Sequence, residues 1–275
     1  MKILVCFKTV ADFSMLSEHD WTVNDHHRVD TGFARHIFNC FEESVLEMAL
    51  RLSEQVDSLG DSPELTALTI DNQKADLFLM HLYAVQYDNA VRIDCAKDMD
   101  LGFNPISVSL AILTYMKKIK KQQLVFLGSQ GGEGDNCQTG MLLAERAGWP
   151  CIRNVVGVEA VNSSGCLKVT SKTNSRTLVQ NVTLPLILII GNAPDVPYLR
   201  VPTLNQKLKA RNKQISVFSF SDLKLDNKII IHNDKLRTRL WRQKSSRQCT
   251  FIKGNNAREK AQQLYDCYLK KKLAP

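Results

Sequence analysis

The stretch most able to do chemistry reads Leu124-Val125-Phe126-Leu127-Gly128-Ser129-Gln130-Gly131-Gly132-Glu133-Gly134-Asp135-Asn136-Cys137-Gln138-Thr139-Gly140. An apolar run enters a loop rich in glycine, and the loop enters a helical pattern. Glycines let the main chain approach a phosphate closely and aim successive N–H groups at it. A helix start adds unpaired donors and a favourable partial charge, worth roughly 0.3–1 kcal/mol in exposed settings. Asn136, Gln138 and Thr139 offer side-chain donors. Glu133 and Asp135 repel a phosphate unless they turn away, and Asp135 also suits a helix cap. This is not a Walker A loop, since no Gly-Lys-Ser/Thr follows. Nor does the first strand lead into G-x-G-x-x-G; it runs into Lys8-Thr9-Val10-Ala11-Asp12. By itself the loop reads as a nucleotide or phosphate site, or equally as a plain turn.

Other chemistries find no pattern. The eight cysteines stand alone at 6, 40, 95, 137, 151, 166, 249 and 267, with no C-x-x-C pair. The six histidines are scattered apart from His26-His27. A zinc or iron–sulfur site therefore has no sequence support, and no metal is expected. Without H-E-x-x-H or G-x-S-x-G, the zinc-protease and α/β-hydrolase readings fall away. No catalytic residue is assigned.

Alternating elements must position the loop. Strand-like runs occur at 2–7, 65–70, 90–93 and 123–127, with helical patterns at 44–52, 74–86, 105–119 and 141–147 between and after them. The last stops at Gly148-Trp149-Pro150, a breaker cluster. This alternation predicts an α/β fold: a Rossmann-like open, mostly parallel sheet with helices on both faces. In such sheets ligands bind beyond the carboxyl ends of the strands. After Pro150, the runs 151–158, 166–171 and 177–182, with Ser163-Ser164-Gly165 at one turn, and the apolar 186–190 predict an antiparallel addition to one edge. Residues 191–202, with Pro194, Pro197 and Pro202, read as an exposed loop. A short strand at 215–220 and a helix at 259–272 complete the pattern. The division expected is a nucleotide-binding domain over 1–220 and a basic C-terminal arm and helix over 221–275.

The chain has 275 residues, 44% hydrophobic and 23% charged, which excludes a disordered or collagen-like chain. The longest apolar run, 184–190, is too short to span a bilayer, so no membrane insertion is expected. The opening residues are too short and too charged for a secretory segment, and a cytoplasmic protein is expected. From Gln206 onward there are 18 Lys and Arg against 5 Asp and Glu, a net +13, while residues 1–205 net −5. A basic tail suits nucleic acid, an anionic membrane, an acidic partner or plain solubility. Trp241, Tyr265 and Tyr268 lie there, but no recognition motif does, so no nucleic acid is expected.

Several blocks in order resemble the beta subunit of electron transfer flavoproteins. Lys2-Ile3-Leu4-Val5-Cys6-Phe7-Lys8, with Val10 and Asp12, is similar to that family's first strand and turn. Asn39-Cys40-Phe41-Glu42-Glu43, leading into Ala49-Leu50-Arg51-Leu52, resembles its Asn-Pro-Phe/Tyr-Asp/Cys-Glu helix entrance. Gly128, Gln130, Gly134, Asp135, Gln138 and Gly140 match its Gly-Lys-Gln-x-x-Asp-Gly-Asp-x-x-Gln-x-Gly loop. Leu184-Pro185 and the run to Lys209-Ala210-Arg211-Asn212-Lys213 also fit, and the resemblance covers residues 1 to about 220.

The resemblance implies a subunit without enzyme chemistry of its own. It would pair with an alpha subunit, and the heterodimer would carry electrons through a shared FAD from a dehydrogenase or other redox protein to an acceptor. The beta subunit would also hold AMP, or a second FAD as in bifurcating members. Carried over by position, the nucleotide would contact Cys6, Asn39, Cys40, Phe41, Glu42, Ile70, Gly128, Ser129, Gln130, Gly131, Gly132, Glu133, Gly134, Asp135, Asn136, Cys137, Gln138 and Thr139. Phe13 would lie near the shared flavin, and 191–202 would be the partner-recognition loop. Asn39 reads equally as a helix cap, and Cys6 and Ile70 as core residues touching a ligand through main chain only. The sequence departs from the family at Cys40 (usually Pro), Glu42 (usually Asp), Ser129 (usually Lys or Arg), Glu133 (usually Asp) and Cys137 (usually Gly, Ala or Asn). The alternative is a stand-alone adenine-nucleotide-binding or sensing module. The two differ at 191–213, which a partner-docking subunit leaves exposed and a self-contained module folds back.

Overall fold

The opening apolar run becomes strand β1 (Lys2–Cys6), and its alternating side chains feed two cores at once. Ile3 and Val5 face one hydrophobic cluster, Leu4 and Cys6 the other. Two-sided burial is what a strand of a parallel sheet requires, and it explains a run without polar alternation. The computed structural model describes residues 1–23, 29–94, 101, 104–131, 137–161, 165–196, 198–225 and 249–273. Expectations on His26-His27, 132–136, Ser163-Ser164, Pro197 and Trp241 fall outside the described residues.

Among the described residues, nine strands form one sheet in the order β11-β5-β4-β1-β6-β10-β7-β8-β9. Here β4 is Glu64–Asp71, β5 Asn89–Asp94, β6 Leu124–Gly128, β7 Cys151–Ala160, β8 Cys166–Lys172, β9 Thr177–Thr183, β10 Leu186–Ile190 and β11 Ser216–Ser219. From β11 to β7 every pairing is parallel. The antiparallel part is confined to β7–β8 and β8–β9. The expected antiparallel addition thus comprises β8 and β9, while β10 and β7 belong to the parallel sheet. All five residues of β10 are buried, since it lies between β6 and β7. A separate ribbon pairs β2 (Thr9–Ala11) with β3 (His36–Phe38); strands this short carry too few residues to show a period.

Helices α1 (Cys40–Ser58) and α2 (Asp76–Ala84) cover one face, and α3 (Pro105–Lys118) and α4 (Thr139–Ala147) the other. Asn39 caps α1: its Oδ1 accepts the N–H groups of Phe41 and Glu42 at 2.8 and 3.0 Å, worth about 1 kcal/mol. The α1 stripe Val45, Met48, Ala49, Leu52 and Val56 is buried, as the 3.6-residue spacing requires. Gly148, in the left-handed region at φ +67°, ends α4, as its place in Gly-Trp-Pro suggests. Helix α5 (Leu204–Ala210) is opened by a capping box of Thr203 and Gln206.

The chain divides into two units, Met1–Thr238 and Arg239–Pro275. Leu223 is fully buried in the first unit's core, so packed structure continues past residue 220. In the second, α6 (Ala257–Leu264) continues through a π-turn (Tyr265–Leu269) into α7 (Lys270–Leu273). Among the described residues no helix is long and apolar enough to cross a membrane.

Candidate nucleotide cleft

The chain leaves β1 toward β4 and β5 on one side, then returns to β6 on the other. The sheet order therefore reverses between β1 and β6. At such a switch point the loops beyond the carboxyl ends diverge and leave a crevice. Here it is a cavity of about 880 Å³, at the upper end of the ~300–1,000 Å³ usual for small-molecule sites.

Each wall comes from a strand or helix end. Cys6 ends β1 and Lys8 and Thr9 follow it, Ile70 to Lys74 end and follow β4, and Arg92 and Asp94 come from β5. Gly128 to Gly131 leave β6, Cys137 to Gly140 open α4, and Leu101, Pro105, Val108 and Ile112 give an apolar wall. Gly140 is required by packing: a Cβ there would lie 2.8 Å from the Cγ1 and Cδ1 of Ile189 on β10. The glycine lets the start of α4 settle onto the sheet, where first-turn N–H groups have no intrahelical partner. Cys137 adopts φ +52° and donates its thiol to Ser129 O at 2.6 Å, closing the loop across its base.

Charge in the cleft is mixed and mostly paired. The Arg92 Nε bonds Asp76 at 2.8 Å and its Nη1 bonds Asp94. Thr9 Oγ1 donates to Asp71 at 2.9 Å and lies 3.1 Å from His36 Nδ1. Glu42 is buried in the first turn of α1. Burial pushes its carboxyl up to about 8, against the pull of the Lys8 ammonium and main-chain N–H. Its Oε2 is buried and has no hydrogen-bond partner. A Cβ on Gly128 would lie 3.2 Å from that carboxyl group, so the glycine makes room for it. Burial, with a smaller push from Glu42, also raises the Cys6 thiol well above the thiol range, which makes Cys6 inert.

Of the residues expected at a nucleotide, Cys6, Glu42, Ile70, Gly128, Ser129, Gln130, Gly131, Cys137, Gln138 and Thr139 meet on this one cavity. Gly132, Glu133, Gly134, Asp135 and Asn136 lie outside the described residues. Asn39, Cys40 and Phe41 are not on the cavity wall. The Asn39 side chain caps α1, and its Nδ2 donates to Gln130 O at 3.0 Å, tying the helix to the glycine loop. Phe13 sits apart in a short turn against Trp21, ring centres 5.8 Å apart. Sequence reasoning missed Arg92, His36 and the turn Asn72 to Lys74. The Asn72 turn had a signal, an Asn two residues before Lys74 whose N–H it accepts at 2.9 Å. Arg92 and His36 had none.

Among the described residues of 191–202, buried and exposed positions alternate. Ala193, Val196 and Leu199 are buried, and Tyr198 and Val201 project, 73% and 82% exposed. Arg200 holds the base through Glu47 at 2.9 Å and through Glu54. The segment expected to be an exposed loop is thus anchored below and exposed at its crest, and meets each of the two criteria in part.

The cleft combines an apolar wall, the glycine main chain of Gly128 to Gly131 and a helix start, groups of the kind a base and a phosphate would meet. The electron transfer flavoprotein domain model matches residues 30–223. Across its whole length the chain is 28% identical to the whole of YgcR of Escherichia coli, a provisionally named electron transfer flavoprotein subunit. It is 27% identical to the mitochondrial electron transfer flavoprotein subunit beta of Arabidopsis thaliana, over 83% of this chain and 85% of that one. The identity to the subunit beta of Bacillus subtilis is also 27%, over 72% and 73%.

Proposed function

This chain belongs to the electron transfer flavoprotein family, and on that footing we propose that it is the beta-type subunit of a heterodimeric electron carrier, with its own adenylate in the switch-point cleft. Subunits of this family are electron carriers rather than enzymes. The partner is an alpha-type subunit, and the pair shares one FAD. When bound, the flavin supplies the redox chemistry by cycling between oxidised and reduced forms. This chain's part is to bind, orient and exclude water.

The observation that carries the reading is the meeting of Cys6, Glu42, Ile70 and the Gly128–Thr139 loop ends on one cavity at the reversal of strand order. In the cleft, Gly128 to Gly131 and the start of α4 hold the phosphate. The base lies along the wall of Ile70, Leu101 and Val108, with AMP or the AMP half of a second FAD as occupant. Outside it, Tyr198 and Val201 present the crest of 191–203 to a dehydrogenase or other redox partner.

Co-expression with an alpha-type subunit tests this. A yellow heterodimer that retains adenine nucleotide in addition to FAD is the expected result. A colourless, unpaired chain without adenine nucleotide overturns the reading.

A further inference from the structure

Apart from its apolar wall and its glycine loop, the cleft has a polar corner. Thr9 on β2, His36 on β3 and Asp71 at the end of β4 build it, and all three line the cavity. Asp71 Oδ1 accepts the main-chain N–H of Asn72 at 2.7 Å, and Oδ2 accepts the Thr9 hydroxyl at 2.9 Å. These donors fix the carboxylate and leave about half of its lone-pair sites for a ligand. Asp94, opposite Asp71 in the β4–β5 register, is bonded by Arg92 instead. Thr9 has one hydroxyl proton and gives it to Asp71. In its 3.1 Å contact with His36, the donor is therefore the imidazole Nδ1–H. Nε2 of the neutral ring is then an acceptor. His36 and Asp71 are only half-buried, so an occupant of the cavity can touch both.

The corner offers hydrogen-bond acceptors side by side, and the groups that complement them are hydroxyls. A phosphate does not suit it, because a carboxylate repels an anion. Strand β1 lies between β4 and β6. Asp71 and Gly128, at the ends of those two strands, are thus separated by two inter-strand spacings, about 10 Å. A nucleotide lying across the end of β1 reaches both, with its phosphate at the glycine loop and its sugar at Asp71. An acid at the end of the strand beside the first is also where dinucleotide-binding sheets hold ribose hydroxyls.

We infer that Asp71 and His36 read the vicinal 2′- and 3′-hydroxyls of the nucleotide's ribose, the carboxylate accepting one O–H and the imidazole Nε2 the other. The inference rests on the nucleotide reading above and adds which sugar is selected: a ribose with both hydroxyls free. A deoxynucleotide leaves the acceptors unpaired. A 2′-phosphate sets an anion against the carboxylate. Thr9 is a positioning residue here, since its hydroxyl links the two readers.

The test is calorimetric titration of the nucleotide-free full chain, at neutral pH, with AMP, 2′,3′-dideoxy-AMP and adenosine 2′,5′-bisphosphate. The dideoxy compound and the bisphosphate should each bind about tenfold or more weakly than AMP. Asp71→Ala, with folding checked by circular dichroism, should weaken AMP about tenfold and leave the dideoxy compound unchanged, and His36→Phe should act in the same direction. Asp71→Asn keeps an oxygen for Thr9 but removes the charge, and should narrow the gap between AMP and the bisphosphate. The wild-type comparison decides the matter even where a variant does not fold. Equal wild-type affinity for AMP and the dideoxy compound, or a variant that weakens both alike, overturns the role of Asp71 and His36 and leaves the nucleotide site standing. Absence of AMP binding overturns the nucleotide reading, and this inference with it.

Discussion

Replacing Arg200 by Ala tests how the crest of 191–203 is held. Arg200 reaches Glu47 through Nε at 3.0 Å and Nη2 at 2.9 Å, and it also bonds Glu54. Glu47 is only 4% exposed. Burial would raise its carboxyl, but hydrogen bonds from Arg200 and Arg51 outweigh that and hold it below the usual carboxylate range. In the variant, Glu47 keeps Arg51 Nε at 3.1 Å and the main-chain N–H of residue 200 at 3.2 Å. The loss is therefore the charge-assisted bonds from Nε and Nη2 to Glu47 and those to the exposed Glu54, not stranding of a bare buried charge. Bonds to charged groups contribute about 1.5–3 kcal/mol. A third of the Arg200 side chain is exposed, so solvent screening reduces this to about 1–2 kcal/mol. Urea unfolding reads that directly, and a fall in Tm of about 2–8 °C accompanies it. The sign with pH follows from a lowered carboxyl. Its stabilisation is full above the unfolded value near 4.5 and is lost as pH falls through the lower folded value. Wild type and variant should differ at pH 7 and converge in acid. Limited proteolysis should also cut the variant faster within 191–203. A stability gap below 0.3 kcal/mol, or one unchanged down to pH 3, would refute the anchoring argument.

Three further outcomes are expected. Gly140→Ala drives a methyl to within 2.8 Å of Ile189, so thermal unfolding should show a loss of about 1–3 kcal/mol from overpacking, with weaker AMP binding as the start of α4 lifts. Glu42→Gln removes a carboxyl whose folded value is raised from 4.5 to about 8; the wild type loses stability relative to it as pH rises between those values, and the gap is level above 8 in denaturant titrations. Truncation after Leu225 spares the buried Leu223 but removes the basic arm and the terminal helix with exposed Leu264, Tyr265, Tyr268 and Leu269; the core should melt as before, while analytical ultracentrifugation shows weaker pairing with the alpha-type subunit.

Where side chains obey local rules, the letters were enough. The unbroken apolar runs at β1, β6 and β10 mark strands buried on both faces, and Asn39 and Gly148 mark helix ends they do cap. The loop from Gly128 was legible because a strand, glycines and a helix start follow one another in the chain. The position of β10 between β6 and β7 was not, since its register depends on partners some 35 to 60 residues away. The Arg200–Glu47 pair, 153 residues apart, is invisible for the same reason. In α5 the signal was present, Thr203 with Gln206 three residues later, but the surrounding lysines drew it into a basic tail. Glu42 reads as an ordinary acid in a first turn; only the closeness of Gly128 and Cys6 shows that it is enclosed.

The central claim is an adenylate clasped where the strand order reverses. Native mass spectrometry of the co-expressed heterodimer, followed by release and identification of its small molecules, tests it most directly. One FAD together with a further AMP or FAD per heterodimer is the predicted result, with the further molecule lost or weakened in Gly140→Ala. A heterodimer carrying its single FAD and nothing else containing adenine would contradict it.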